Sequence, residues 1–323
     1  MQKPLIALVG PTAAGKTEIA VRLARKINIE IISCDSRQIY RGLNIGTAKP
    51  SGKWITKNGH PQFFVDSVPY HLIDVVNPDE NFSAGKYKKL VEKILPGIYE
   101  RNKIPLLVGG TGLYLRAVID GLCQVPSADY RLREKLRLEA QQQGKGFLYQ
   151  KLKEVDPQLA GKIKPGDSIR IIRGLEVFQK TGVPLSEWQR ETCAENYKIL
   201  VWGLSWERET LYERINQRVE KMVADGIIKE VKNLLSEGYF PHSNALQSLG
   251  YKEVIEYLQG EYDYARLVYL IKRNTRRYAK RQITWFRKDK RIQWIAVDGK
   301  TSTEIIEIIT KRTKTFLTTN FPN

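Results

Sequence analysis

The chain has 323 residues, 42% apolar and 27% charged, an ordinary globular balance that excludes a disordered or collagen-like protein. Its 53 Lys and Arg against 35 Asp and Glu give a formal net charge of +18. That excess points to a polyanionic partner, because each cation brought to a phosphate backbone gains attraction and releases counterions.

Apolar, β-rich runs at 5–9, 29–34, 71–76, 104–108, 199–204 and 292–297 alternate with helical periodicity. Parallel strands need crossovers, which are nearly always helical, so the expected class is α/β, with a mostly parallel sheet flanked by helices. The run at 5–9 is too short for a signal peptide or a membrane span, and the expected location is the cytoplasm. The segment 51–70, with Gly52, Gly59, Pro61 and Pro69, reads as a surface loop.

From 125 to 197 the pattern changes to charged helical stretches, such as 130–143 and 168–180, with no convincing strand. The expectation is an all-helical insertion over 125–197, hinged at Val125-Pro126-Ser127 and Glu195-Asn196, between core segments 1–124 and 198–323. The tail from Thr310, with Lys311, Arg312 and Lys314, is expected to be loosely held. Cys34, Cys123 and Cys193 are too far apart for a Cys-x-x-Cys pair, and with only three histidines a zinc finger or disulfide framework is excluded.

Gly10-Pro11-Thr12-Ala13-Ala14-Gly15-Lys16-Thr17 fits G-x-x-x-x-G-K-[ST] between the first strand and a helix carrying Ile19, Ala20, Leu23 and Ile27 on one face. The glycines let the backbone wind round an anion. Amides and the helix N-terminus point positive charge at it, Lys16 adds a cation, and the Thr17 hydroxyl can hold Mg²⁺. The motif makes the expected α/β fold a P-loop NTPase-like core, but alone it does not say whose phosphates are bound.

The second strand ends in Ser33-Cys34-Asp35-Ser36-Arg37-Gln38, which sets a carboxylate at the ligand-binding edge of the sheet. Asp35 suits a metal ligand in a phosphate-hydrolysing protein, a proton acceptor in a group transferase, or a helix cap. The fourth run leads into Gly109-Gly110-Thr111-Gly112-Leu113-Tyr114 at the same edge, where Thr111 is either a cleft residue or an N-cap. From Arg266 to Arg291 there are eleven basic residues against Asp289 alone. Leu267, Val268, Ile271, Thr275, Tyr278 and Ile283 can form the packed face of a helix there, leaving arginines and lysines to meet RNA.

Several ordered blocks together resemble the tRNA dimethylallyltransferase family, also called tRNA isopentenyltransferases. They are the P-loop, Asp35-Ser36-Arg37-Gln38-Ile39-Tyr40, Asn44-Ile45-Gly46-Thr47-Ala48-Lys49-Pro50, His71-Leu72-Ile73-Asp74, the 109–114 turn, Arg173-Gly174-Leu175-Glu176-Val177, Gly250-Tyr251-Lys252 and Arg281-Gln282-Ile283-Thr284-Trp285-Phe286-Arg287. The resemblance implies transfer of a dimethylallyl group from its diphosphate to N6 of the adenosine just 3′ of the anticodon, position 37, in tRNAs reading codons that begin with U, with Mg²⁺. The P-loop, residues Gly10, Pro11, Thr12, Ala13, Ala14, Gly15, Lys16 and Thr17, would then grip a departing diphosphate, and Asp35 would accept the amine proton.

By the same resemblance Arg208, on sequence alone an ordinary charged residue opening a helix, would contact the diphosphate, and Thr111 would line the reaction channel. The tRNA side would comprise Asp35, Ser36, Arg37 and Gln38, then Arg133, then Ile169, Arg170, Ile171, Ile172 and Arg173, and finally Gln247, Ser248, Leu249, Gly250, Tyr251 and Lys252. Arg133, Arg170 and Arg173 lie on the expected insertion, which would clasp the anticodon stem-loop of a tRNA bound by a monomer. The zinc-finger extension of eukaryotic relatives is not expected here. Three other readings share some of these features: an adenylate isopentenyltransferase, a P-loop small-molecule kinase, and an RNA-binding regulator with a nucleotide switch. The first needs no large basic clamp, the second has no recognisable lid with paired arginines, and the third leaves Asp35 and Thr111 without work.

Overall fold

Strand β1 (Lys3–Val9) is buried from Leu5 onward and runs through the P-loop into α1 (Lys16–Lys26). In this computed structural model, which describes residues 2–57, 59–144, 146–190 and 197–321, the chain continues through β2 (Ile29–Ser33), β3 (Lys53–Lys57), β4 (His60–Val65), β5 (Val68–His71), α2 (Ala84–Glu100), β6 (Ile104–Gly109) and α3 (Gly112–Ile119). Five helices follow: α4 (Tyr130–Gln143), α5 (Phe147–Val155), α6 (Pro157–Lys162), α7 (Ser168–Thr181) and α8 (Leu185–Trp188). The chain then returns through β7 (Tyr197–Ser205), α9 (Arg208–Ala224), α10 (Ile227–Ser236), α11 (Tyr251–Leu258), α12 (Tyr264–Phe286), β8 (Ile292–Ala296) and α13 (Ser302–Asn320). Cys193 and the Glu195-Asn196 hinge lie outside the described residues.

The sheet order is β3-β4-β5-β2-β6-β1-β7-β8, with β5 through β8 parallel and β3-β4-β5 antiparallel. The central strands read as continuous apolar runs because helices cover both faces. One face packs Ile6, Leu8, Ile31, Leu106 and Trp202 against Leu23 of α1 and Ile305 and Ile309 of α13. Since β6 sits between β1 and β2, their carboxyl ends converge, and α/β sheets bind ligands at that edge.

Three expectations need correction. The stretch 51–70 is a β-hairpin plus a third strand that lengthen the sheet, with Asp66 and Ser67 both at positive φ in the β4–β5 turn. All five β3 residues are exposed, so no alternation marked it, and Pro61 argued against the neighbouring strand. The run at 71–76 is not a strand: β5 ends at His71, and positive φ at Leu72 and Asp74 turns the chain away. The tail from Thr310 is helical to Asn320, with Thr313 fully buried and its hydroxyl accepting from Trp202 Nε1 at 3.4 Å.

The chain divides into two compact units, Met1–Ala117 with Asn196–Asn323, and Val118–Glu195. The division falls inside α3, upstream of the Val125-Pro126-Ser127 turn. The second unit has its own core of Leu136, Leu148, Leu152, Leu159, Ile171 and Leu175. Within it Glu176, fully buried, accepts from Arg133 Nε and Nη2 at 2.9 and 2.8 Å and from the Asp129 amide at 2.6 Å, and is also bonded to Arg173.

Candidate active site

The P-loop departs from β1 where Gly10 passes so close to Leu204 that a Cβ would touch its carbonyl oxygen. Ala13 and Gly15 adopt left-handed conformations, φ 63° and 85°, and Gly15 is the N-cap of α1. This winding turns successive amides inward as an anion nest. Three side chains brace it. Arg214 Nε donates to Ala13 O at 3.0 Å, Trp206 Nε1 to Ala14 O at 3.2 Å, and Arg218 Nη1 to Thr12 Oγ1 at 3.3 Å. Lys16 Nζ donates to Gly10 O and Pro11 O at 3.1 and 2.7 Å. Burial and then the Arg218 charge push the Lys16 ammonium down to about 8, against the opposing pull of Asp35 and Cys34.

The loop opens into a cavity of about 1280 Å³ in the first unit. Thr12 through Thr17 and Asp35 through Gln38 line it, as do Gln247 through Gly250 and Lys252. Asp35 Oδ1 accepts from the amides of Arg37 and Gln38 at 2.8 and 3.4 Å, which fixes the turn at the end of β2 and leaves the second oxygen for the cavity. Burial pushes the neighbouring Cys34 thiol up to about 12, so it is inert as a nucleophile. Tyr70, beside Thr17, adds an aromatic wall. From α12 come Arg277, Tyr278 and Arg281. That 23-residue helix starts at the Asp263 N-cap and buries Leu267, Leu270, Ile271, Thr275, Ala279, Gln282 and Phe286, the three-to-four spacing of one helix face. Val268, Tyr278 and Ile283, expected on that face, are only partly buried.

Several expected site residues lie elsewhere. Arg208 is exposed, stacks on Tyr212 at 5.3 Å and does not line the cavity; α9 instead offers Arg214 and Arg218, one turn apart. Gly10 and Pro11 do not line it, nor does Thr111. The Thr111 hydroxyl accepts from the Ser36 amide at 3.0 Å and so holds the residue next to Asp35. Tyr251 is fully buried and donates to Glu230 Oε1 at 2.5 Å, which takes it off an RNA surface. Ile171 and Ile172 are buried in the core of the second unit, and Arg133 and Arg173 are committed to Glu176 there. Ile169, 81% exposed, and Arg170 remain on the surface of that unit.

Sequence reasoning missed Arg214, Arg218 and Glu230. The two arginines carry a signal, a four-residue spacing on a helix facing the loop. Glu230 carries none: its carboxylate accepts from the amides of Asn44, Ile45 and Gly46 at 2.9 to 3.3 Å, which anchors the loop whose Gly46, Thr47 and Ala48 line the cavity. Among the described residues no group of three His, Cys, Asp or Glu side chains is arranged to hold a metal, and no helix is long and apolar enough to cross a membrane.

Residues 38–289 match the IPP transferase family and residues 3–60 the isopentenyl transferase family. A tRNA dimethylallyltransferase of Halothermothrix orenii is 47% identical over 97% of this chain and 93% of its own length, and one of Geobacter sulfurreducens is 46% identical over 90% and 91%. The crystal structure of a full-length tRNA isopentenylpyrophosphate transferase from Bacillus halodurans, 39% identical, superposes with a TM-score of 0.70 over 98% of this chain and 97% of that one. A eukaryotic dimethylallyltransferase acting on tRNA, 26% identical, gives a TM-score of 0.78 over 97% of this chain and 80% of that one. A braced P-loop facing a carboxylate across one cavity, on a chain matched over nearly its whole length, establishes that it belongs to the tRNA dimethylallyltransferase family.

Proposed function

We propose that this protein transfers the dimethylallyl group of dimethylallyl diphosphate to N6 of the adenosine immediately 3′ of the anticodon in tRNAs reading codons that begin with U. The observation that carries the reading is the shared cavity: P-loop amides, Lys16 and Arg218 at one wall, the free oxygen of Asp35 at another, and cationic α12 residues at the rim. As the allylic C–O bond breaks, negative charge grows on the diphosphate, and donors held in place beforehand stabilise it more than the ground state. The adenine amine is a weak nucleophile, and Asp35 accepts its proton as the new C–N bond forms. Tyr278, Arg277 and Arg281 suit a base taken out of its stack and the phosphates beside it.

Mg²⁺ fits the donors present. P-loop sites hold the ion through one Ser or Thr hydroxyl, with waters and phosphate oxygens completing its shell, and Thr17 lines the cavity at the first turn of α1. Bound there, the ion supplies charge neutralisation to the leaving diphosphate. The helical unit, through Arg170 and Ile169, clasps the anticodon stem-loop, and the protein acts in the cytoplasm.

The test is nucleoside mass spectrometry of tRNA after incubation with dimethylallyl diphosphate and Mg²⁺, with AMP as the competing acceptor. Isopentenyladenosine at the expected position supports the reading. Labelling of AMP alone, or phosphoryl transfer from ATP, refutes it.

A further inference from the structure

We propose that Gln282 is a positioning residue for prenyl transfer: its carboxamide ties the P-loop to the glycine-rich turn after β6 and so sets the separation between the leaving diphosphate and the proton acceptor. The inference rests on the transfer reading above and adds to it a residue that lines the same cavity but spends both polar ends on the protein.

The Gln282 side chain is 6% exposed. Its Oε1 accepts from the Thr12 amide at 2.8 Å, and its Nε2 donates to Gly110 O at 2.9 Å. A buried carboxamide must be bonded at both ends, and this one spends its two ends on two turns 98 residues apart in sequence. The Thr12 amide is thereby taken out of the phosphate-facing set, while Thr12 Oγ1 is held from the other side by Arg218. Thr12 therefore cannot shift without breaking bonds to two helices.

The other end of the bridge leads to the acid. Gly110 precedes Thr111, whose hydroxyl accepts from the Ser36 amide, and Ser36 follows Asp35. A continuous line of short bonds thus runs from the diphosphate wall, through Gln282, to the strand end that carries the carboxylate. The glycines of the turn are explained by the same contact. A Cβ at Gly110 would run into the Gln282 carboxamide, and one at Gly112 into the indole of Trp285, one turn further along α12. Glycine there lets the helix lie close enough for one side chain to reach both turns.

Displacing reacting groups by about 1 Å costs about 10²-fold in rate, which sets the expected effect. In single-turnover reactions, with enzyme in excess over an anticodon stem-loop RNA and saturating dimethylallyl diphosphate, Gln282→Met lowers the rate constant about 10²-fold. Gln282→Glu keeps an acceptor for Thr12 but sets an anionic oxygen against Gly110 O and beside the diphosphate wall, so it lowers the rate at least as far, by about 10²-fold or more. The RNA dissociation constants stay within about threefold, since the Gln282 carboxamide is bonded to the protein at both ends.

The rate constant, unlike the amplitude, is independent of the fraction of folded enzyme. Rate constants within about twofold of wild type, whatever the amplitude or melting temperature, would overturn the proposal and leave Gln282 a merely structural residue. So would a rate loss that merely tracks lost RNA affinity. Wild-type enzyme that transfers no dimethylallyl group to RNA would instead sink the underlying reading, a result distinguishable from either.

Discussion

Arg218 of α9 donates to the Thr12 hydroxyl at 3.3 Å, across 206 residues of sequence, and lines the same cavity as Asp35. Burial lowers the proton affinity of this guanidinium while the Asp35 charge raises it, so a strong cation sits desolvated beside the P-loop. A charge in that setting acts on a developing diphosphate far more strongly than one in water.

Removing it has a defined cost. Arg218→Ala lowers kcat/KM for dimethylallyl diphosphate by about 10² to 10³, the loss seen when one preorganised charge-stabilising donor is deleted. Arg208→Ala, at the exposed start of α9, changes it less than about twofold. Steady-state kinetics with the donor varied at saturating tRNA checks both, and equal losses at the two positions would contradict the geometry.

Lys16 makes donor binding depend on pH. Its value of about 8 lies below the ordinary 10.5, so between these the folded chain binds fewer protons than the unfolded chain. The cost of burying this ammonium is therefore full below pH 8 and is relieved as pH rises toward 10.5. An incoming diphosphate restores the proton affinity of Lys16, so binding takes up protons above about pH 8 and weakens as pH rises further. Calorimetry of diphosphate binding at about pH 8.5 in two buffers of different ionisation enthalpy should detect that uptake; its absence would exclude Lys16 as the titrating contact.

Asp35→Asn separates chemistry from structure. The amide oxygen still accepts from the Arg37 and Gln38 amides, so the turn persists while the proton acceptor is lost. Single-turnover transfer falls by about 10² to 10⁴, with tRNA affinity changed less than about threefold. Unimpaired transfer would remove Asp35 from the mechanism.

In the helical unit, Glu176→Ala strands Arg133 and Arg173, whose guanidiniums both serve that buried carboxylate. Breaking such a buried cluster from one side costs about 3 to 5 kcal/mol, read as lost hydrogen-exchange protection across α4 and α7. Arg170→Ala, with a side chain 57% exposed and paired to Asp167, instead weakens tRNA binding with no loss of protection. If Glu176→Ala left protection intact, the cluster would not be what holds these helices.

The sequence by itself determined the local parts. Glycine spacing dictates the loop winding at 10–17, apolar runs dictate the central strands, and three-to-four periodicity dictates α12, because each depends on neighbours within a few residues. The hairpin at 53–65 escaped because its outer strand has no buried face to impose alternation. The sequence also named the P-loop and the Asp35–Gln38 turn that line the cavity, whereas tertiary structure decided which other polar side chains join them. Arg208 and Arg218 are both arginines on one helix, and only packing turns Arg218 toward the loop. Arg133 and Arg173 look like surface cations until a buried Glu176 claims them, and Gln282 looks like any polar residue in a basic helix until two distant turns are brought against it. Long-range hydrogen bonds and burial depend on which segments meet, and residue type at one position carries no information about that.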